Sequence, residues 1–141
     1  MVVGASYPVL RAQEGASTSR SVWDGVYTKE QADRGRTLYS QGCSKCHAES
    51  LGGNDEVPSL TGDQFFSDWD GLTVGDLFDR INKTMPMDNP GGVKREANAD
   101  ILAYILNANG FPAGATVLPA RTEMLAQIRI ESAKPDSPKD K

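Results

Sequence analysis

Cys43-Ser44-Lys45-Cys46-His47 holds both cysteines and the only histidine of the 141-residue chain. Two thiols three positions apart, with an imidazole directly after the second, fit covalent attachment of a c-type haem. Thiols of this kind add to the two vinyl groups of a haem and become thioethers. The histidine is then held under the iron, where a neutral imidazole serves as axial ligand. Three other readings compete. A thioredoxin-type dithiol needs a βαβ setting, and no strand pattern surrounds these residues. A structural zinc site needs four ligands, and cysteine and histidine together supply three. Chance is the third, and the use of every Cys and His of the chain in one motif weighs against it.

Composition narrows the class. The net charge of −4 and pI near 4.9, with no basic stripe, lack the electrostatic footprint of a nucleic-acid binder. An acidic surface suits partners with a basic patch and acts more on encounter rate than on affinity. From Cys43 to Gly92 nine acids (Glu49, Asp55, Glu56, Asp63, Asp68, Asp70, Asp76, Asp79, Asp88) face three bases (Lys45, Arg80, Lys83), a net of −6. The alternative is that these acids are simply scattered and solvated. Two neighbouring cysteines cannot staple distant parts of a chain. Covalent haem attachment takes place outside the cytoplasm, so the expected location is periplasmic or otherwise exported. Met1 to Leu10 has no basic start, and Pro8 interrupts its short apolar run, unlike a signal peptide. The expectation is that the export signal lies upstream or has been removed. No run reaches the roughly 18 apolar residues of a membrane-spanning helix, so no transmembrane segment and a monomer are expected.

The chain divides into three parts. Residues 1–27 read as a flexible lead-in whose Val22, Trp23, Val26 and Tyr27 strap onto the core. Residues 28–110 form the domain. Residues 111–141 form an extension, with a short helix within Arg121–Arg129 and a disordered polar tail from Ser132 to Lys141. Thr28-Lys29-Glu30-Gln31 is a capping box in which the Gln31 side chain reaches back to the cap. Ala32, Gly35, Leu38 and Tyr39 follow as the buried stripe of the first helix. Gly35 costs about 1 kcal/mol relative to Ala in mid-helix, which suggests close approach of a backbone or ring. Ala48 to Asp63 is too rich in turn formers for a helix or strand. Within it, Pro58 either stiffens the turn or presents a carbonyl to the ring N–H of His47, as ligating histidines require. Phe65, Phe66 and Trp69 form a pocket wall or ordinary core. A helix begins near Thr73 with Leu77, Phe78 and Ile81 buried. A last helix spans about Arg95 to Asn109, with Ile101, Leu102, Tyr104, Ile105 and Leu106 on its apolar face and Gly110 at its end.

A six-coordinate haem needs a second ligand, and no second histidine exists. A methionine thioether is the alternative and raises the potential. Met1 lies in the lead-in and Met124 suits a core. Met85 and Met87 share a Pro/Gly loop after a helix, and that loop position favours Met85 while leaving Met87 open.

These elements, in this order, resemble a class I (monohaem) cytochrome c. The likeness covers about Thr28 to Gly110 and rests on six features. They are the helix with Gly35 and Tyr39, the Cys43–His47 motif, the Val57-Pro58-Ser59-Leu60 loop, Met85-Pro86, Pro90-Gly91 and the closing helix with Tyr104. The resemblance implies an all-α cytochrome c fold, with three main helices and loops wrapped around one covalent haem c and its iron. It implies that the first and last helices cross nearly perpendicularly, with Gly35 and Tyr39 meeting Tyr104. It also implies that Met85 is the sixth ligand, that the Pro58 carbonyl receives the His47 N–H, and that Trp69 lies near a haem propionate. Gly-Phe-Pro-Ala-Gly after the closing helix is similar to cytochrome c domains that accompany quinoprotein (PQQ) dehydrogenases. The function expected is one-electron transfer without enzymatic turnover. The haem pocket is expected to be lined by Phe65, Phe66, Trp69, Leu77, Phe78, Ile81 and Leu102. The partners expected are redox proteins, among them a PQQ-dependent dehydrogenase and a terminal oxidase. The alternatives are a haem subunit working only inside a larger dehydrogenase complex, and a haem enzyme or sensor with an open distal site.

Overall fold

Six helices carry the fold in a computed structural model that describes Gly4 and residues 20–135. In chain order they are α1 (Lys29–Gly42), α2 (Ser44–His47), α3 (Gly62–Trp69), α4 (Val74–Thr84), α5 (Arg95–Ala108) and α6 (Thr122–Leu125). The rest of the lead-in and residues 136–141 of the expected disordered tail lie outside the described residues. The fold is the expected all-α cytochrome c fold.

Helix α1 starts where Thr28 Oγ1 accepts from the Gln31 amide at 3.1 Å. The expected return bond from the Gln31 side chain is absent. Gln31 is buried and spans to the chain beyond α5, with Nε2 donating to Leu118 O at 2.9 Å and Oε1 accepting from Leu118 N at 2.7 Å. A buried carboxamide is best used where both of its ends are satisfied, and Leu118 offers both a donor and an acceptor.

The α1–α5 contact is the most extensive between elements. Gly35 makes it possible: a Cβ there would lie 1.8 Å from Asp100 O and 2.4 Å from Asp100 C. Backbone meets backbone, and the Tyr39 and Tyr104 rings meet beside the contact, tilted by 55° with centroids 5.5 Å apart. The core around it is apolar, with Phe65, Phe78, Leu102 and Leu106 fully buried.

Three features differ from the expectation. The Phe65–Trp69 segment is a helix, α3, whose Thr61 cap makes no side-chain bond. Its first amide, on Gly62, instead donates to Asn109 Oδ1 at 3.0 Å, and Asn109 Nδ2 donates to Leu60 O at 2.9 Å. A helix capped from the far end of α5 carries no local sequence signal. Second, the late helix is only Thr122–Leu125, and the chain then extends as β2 (Ile128–Arg129). Third, β2 pairs in parallel with β1 (Arg20–Ser21), Arg20 opposite Ile128. Ser21 Oγ donates to Glu131 at 2.6 Å, and the Trp23 ring N–H donates to Glu131 O at 3.0 Å. Residues 20–27 thus join the core, with Val22, Val26 and Tyr27 buried. The Tyr27 hydroxyl donates to Phe111 O, and burial raises its pKa.

Candidate functional site

The attachment motif sits at the end of α1. Cys43 caps α1, and its amide donates to Tyr39 O. The chain then enters the single turn of α2, where the His47 amide donates to Cys43 O at 3.0 Å. This turn sets the two thiols one helical step apart, with Cys43 half-buried and Cys46 exposed. Desolvation raises the pKa of the Cys43 thiol.

His47 is buried. Its Nδ1 lies 2.9 Å from Pro58 O. With Nδ1 carrying the proton, as a carbonyl partner requires, Nε2 keeps its lone pair. The loop that brings Pro58 here is built from side chain to backbone bonds. Asn54 Oδ1 accepts from the Glu56 and Val57 amides at 2.8 and 2.9 Å, and Ser59 Oγ donates to Thr61 O at 2.8 Å. Gly53 lies under the Pro58 carbonyl at φ +63; a Cβ there would be 2.8 Å from Pro58 O and 2.2 Å from Val57 O. Its amide donates to His47 O at 2.8 Å. Gly53 and Asn54 are positioning residues that sequence reasoning missed, although Gly52-Gly53-Asn54-Asp55 carried the signal as a turn.

Ala48, directly after His47, adopts φ 71 and ψ 156, a region that costs a non-glycine residue about 1–3 kcal/mol. Bonds on both sides hold it there. Its amide donates to Ser44 O at 2.9 Å, and its carbonyl accepts from the Leu51 amide at 3.0 Å and the Tyr39 hydroxyl at 2.6 Å. The Tyr39 hydroxyl is held far above the usual phenol range, first by burial and then by the charges of Cys43, Tyr104 and Glu49.

Met85 follows α4 directly, its amide donating to Ile81 O. It lines a cavity of about 200 Å³ together with Cys43, Leu38, Ile81, Val93 and Ile101. Met87 instead points to solvent at 77% exposure. The cavity therefore joins a cysteine of the motif to Met85, and Met87 is not among its walls. Of the predicted pocket residues, Phe65, Leu77, Phe78 and Leu102 are buried, and Phe66, Trp69 and Ile81 pack against them partly exposed. Lys45 of the motif reaches Asp88 of the methionine loop at 3.6 Å. Lys83 pairs with Asp79, so two of the three bases between Cys43 and Gly92 are taken up by acids. All the acids of that stretch except half-buried Asp79 are exposed.

The donor set fits a c-type haem. It offers two thiols in one turn, an imidazole with one nitrogen occupied by a carbonyl, and a thioether on an apolar wall. Among the described residues no three His, Cys, Asp or Glu side chains converge as a metal-holding group. No described helix is long and apolar enough to cross a membrane.

No curated protein matches the chain. Among solved structures, the sulfane dehydrogenase SoxCD from Paracoccus pantotrophus is similar at 21% identity and a TM-score of 0.53, over 96% of this chain and 73% of that one. At this identity the likeness speaks for the fold. Residues 30–105 match the family described as "Cytochrome C oxidase, cbb3-type, subunit III". The match spans more than half of the chain, so the protein belongs to that family: it is a monohaem c-type cytochrome, binds haem c covalently and works in electron transfer.

Proposed function

We propose that the protein is a periplasmic or exported one-electron carrier whose haem is bound through Cys43 and Cys46 and ligated by His47 and Met85. One-electron exchange between Fe(III) and Fe(II) is the chemistry the haem supplies when bound. The observation that carries this reading is that Cys43 and Met85 face one cavity while His47 Nδ1 is committed to Pro58 O. Cys43 and Cys46 fix the cofactor beside α1. His47, oriented by Pro58, supplies the proximal nitrogen, and that bond makes it a better donor. Met85 supplies a soft sulfur, which favours the reduced state relative to a second histidine. The apolar wall of Phe65, Phe78 and Leu102 excludes water and keeps net charge on the metal unfavourable. Trp69 takes a place near a propionate. Held by His47 on one side and Met85 on the other, the haem would exchange an electron with little motion of the chain, which suits a carrier rather than an enzyme.

Exposed acids around the motif and the methionine loop set the partner class: redox proteins with a basic docking face, whose association weakens as salt rises. A PQQ-dependent dehydrogenase as donor follows from the Gly110-Phe111-Pro112-Ala113-Gly114 resemblance, and a terminal oxidase is the acceptor of this reading.

The reading is tested on protein matured with haem. A spectroelectrochemical titration is expected to follow a one-electron curve, and the oxidised protein is expected to show a Met–iron charge-transfer band and to resist cyanide. Rapid cyanide and CO binding to the resting protein would replace the carrier with an open-site haem enzyme or sensor. Co-elution with a dehydrogenase, and loss of that enzyme's turnover when the chain is removed, would replace the free carrier with a complex subunit.

A further inference from the structure

Ala48 and Leu51 are the two non-glycine residues with positive φ among the described residues, at 71° and 65°. Both lie in the loop that follows His47, and they bond to each other: the Leu51 amide donates to Ala48 O at 3.0 Å. Ala48, with ψ 156, stands in a region that is essentially reserved for glycine. Such a conformation persists only where the surroundings fix it from several sides. The function above gives this strain no role.

One of the fixing bonds comes from the helical frame. The Tyr39 hydroxyl donates to Ala48 O at 2.6 Å. Tyr39 belongs to α1, is buried, and sets its ring against Tyr104 of α5. A second tie from α1, Ser40 Oγ to Glu49 Oε1 at 3.1 Å, is exposed and competes with water. From Ala48 the bonding runs on through the loop. Leu51 O accepts from the Leu60 amide at 2.7 Å and from Ser59 Oγ at 3.3 Å. Ser59 and Leu60 directly follow Pro58, whose carbonyl lies 2.9 Å from His47 Nδ1. A series of hydrogen bonds thus leads from the Tyr39 hydroxyl to the carbonyl that faces the imidazole.

We propose that Tyr39 is a positioning residue for His47: its hydroxyl holds Ala48 in the glycine-type conformation, and through Leu51 this keeps the Pro58 carbonyl on the imidazole Nδ1–H. The proposal rests on His47 being the axial ligand. Without the hydroxyl, Ala48 relaxes toward an ordinary φ, and the loop carries the Pro58 carbonyl away from the ring. A carbonyl partner makes a ligating imidazole more basic. Its withdrawal leaves Fe(III) less well stabilised, so the potential rises.

The test uses haem-loaded wild type, Tyr39→Phe, Ala48→Gly, the double variant and His47→Ala. Tyr39→Phe keeps the ring against Tyr104 and removes the hydroxyl. The readouts are the midpoint potential and the rate at which the His47 Nδ1–H exchanges with deuterium in the reduced protein, followed by NMR. Tyr39→Phe is expected to exchange this proton about tenfold faster, the factor that one hydrogen bond of ordinary net strength supplies, and to shift the potential upward. The double variant is expected to return both readouts toward wild type, because glycine holds the turn without the hydroxyl. Wild-type exchange and potential in Tyr39→Phe would overturn the proposal and leave the His47 ligand standing. Shifts that the double variant keeps in full belong to ring packing and would overturn it equally. Ala48→Gly decides the matter if Tyr39→Phe does not fold. Relief of the strain should raise its urea midpoint, and a lowered midpoint would show Ala48 to be unstrained and overturn the proposal. A His47→Ala protein with the wild-type haem spectrum would overturn the ligand reading, and the role of Tyr39 with it.

Discussion

Replacing Gly35 by alanine should loosen the contact that carries the haem-attachment segment. The new Cβ would lie 1.8 Å from Asp100 O and 3.0 Å from Ile101 N. These are backbone atoms of α5 and cannot rotate aside. Restoring an ordinary 3.4 Å contact requires the two helices to part by about 1.6 Å. Such a shift separates Tyr39 from Tyr104 and spreads the cavity wall between Cys43 and Ile101. Overpacking of this kind costs about 1–3 kcal/mol, occasionally more, and a backbone obstacle belongs at the upper end. Alanine returns about 1 kcal/mol through helix propensity. The net expectation is a loss of about 2 kcal/mol, or roughly 7 °C in Tm for a chain of this size. Urea unfolding of the haem-loaded protein measures it as a lower midpoint at unchanged m-value. A Gly35→Ala protein as stable as wild type, or more stable by its gain in propensity, would refute the close-approach reasoning.

Other expectations follow from single contacts. Gly53→Ala crowds the Pro58 carbonyl and should weaken its bond to His47; a lower redox stability of the His47–iron bond, read as a shifted potential, tests this, and Pro58→Ala, which keeps the carbonyl, should shift it less. Gln31→Leu leaves the buried Leu118 N–H and C=O unpaired, and at about 1–3 kcal/mol for an orphaned group it should lower the denaturation midpoint clearly. The Glu131 carboxyl is held below its usual range, first by the Arg129 bond and then by that of Ser21. Its folded pKa is depressed, so its stabilisation is complete above the unfolded value near 4.5 and is lost as pH falls through the folded value. The stability gap between wild type and Glu131→Gln should therefore be constant near neutral pH and close below about pH 4. A gap that persists in acid would contradict the assignment.

The fold was legible wherever a local rule governs. Thr28 and Thr73 announce α1 and α4 because each hydroxyl accepts from the amide three residues on, Gln31 and Asp76, so that the whole signal is local. The midpoint glycine of α1, Gly35, announced a close approach because nothing else justifies its cost in a helix. Helix α3 was not legible, because its cap, Asn109, is brought from the end of α5. The β1–β2 pair was not legible either: two-residue strands have no periodicity, and their partners are joined only by folding. Gln31 was misread for a related reason, since a capping box and a buried bridge use the same residue and only burial decides between them. At the site, Cys43, Cys46 and His47 stand out by sequence adjacency. Gly53 acts through the Pro58 carbonyl packed over it, and such a role exists only in three dimensions.

The central claim is that Met85 turns a haem-binding segment into a carrier of one electron. The optical spectra of oxidised, haem-loaded Met85→Ala and Met87→Ala test it most directly. The account predicts that Met85→Ala loses the Met–iron charge-transfer band and gains cyanide binding, while Met87→Ala, altered at a side chain that is 77% exposed, keeps the wild-type spectrum. Loss of the band in Met87→Ala with its retention in Met85→Ala would contradict it.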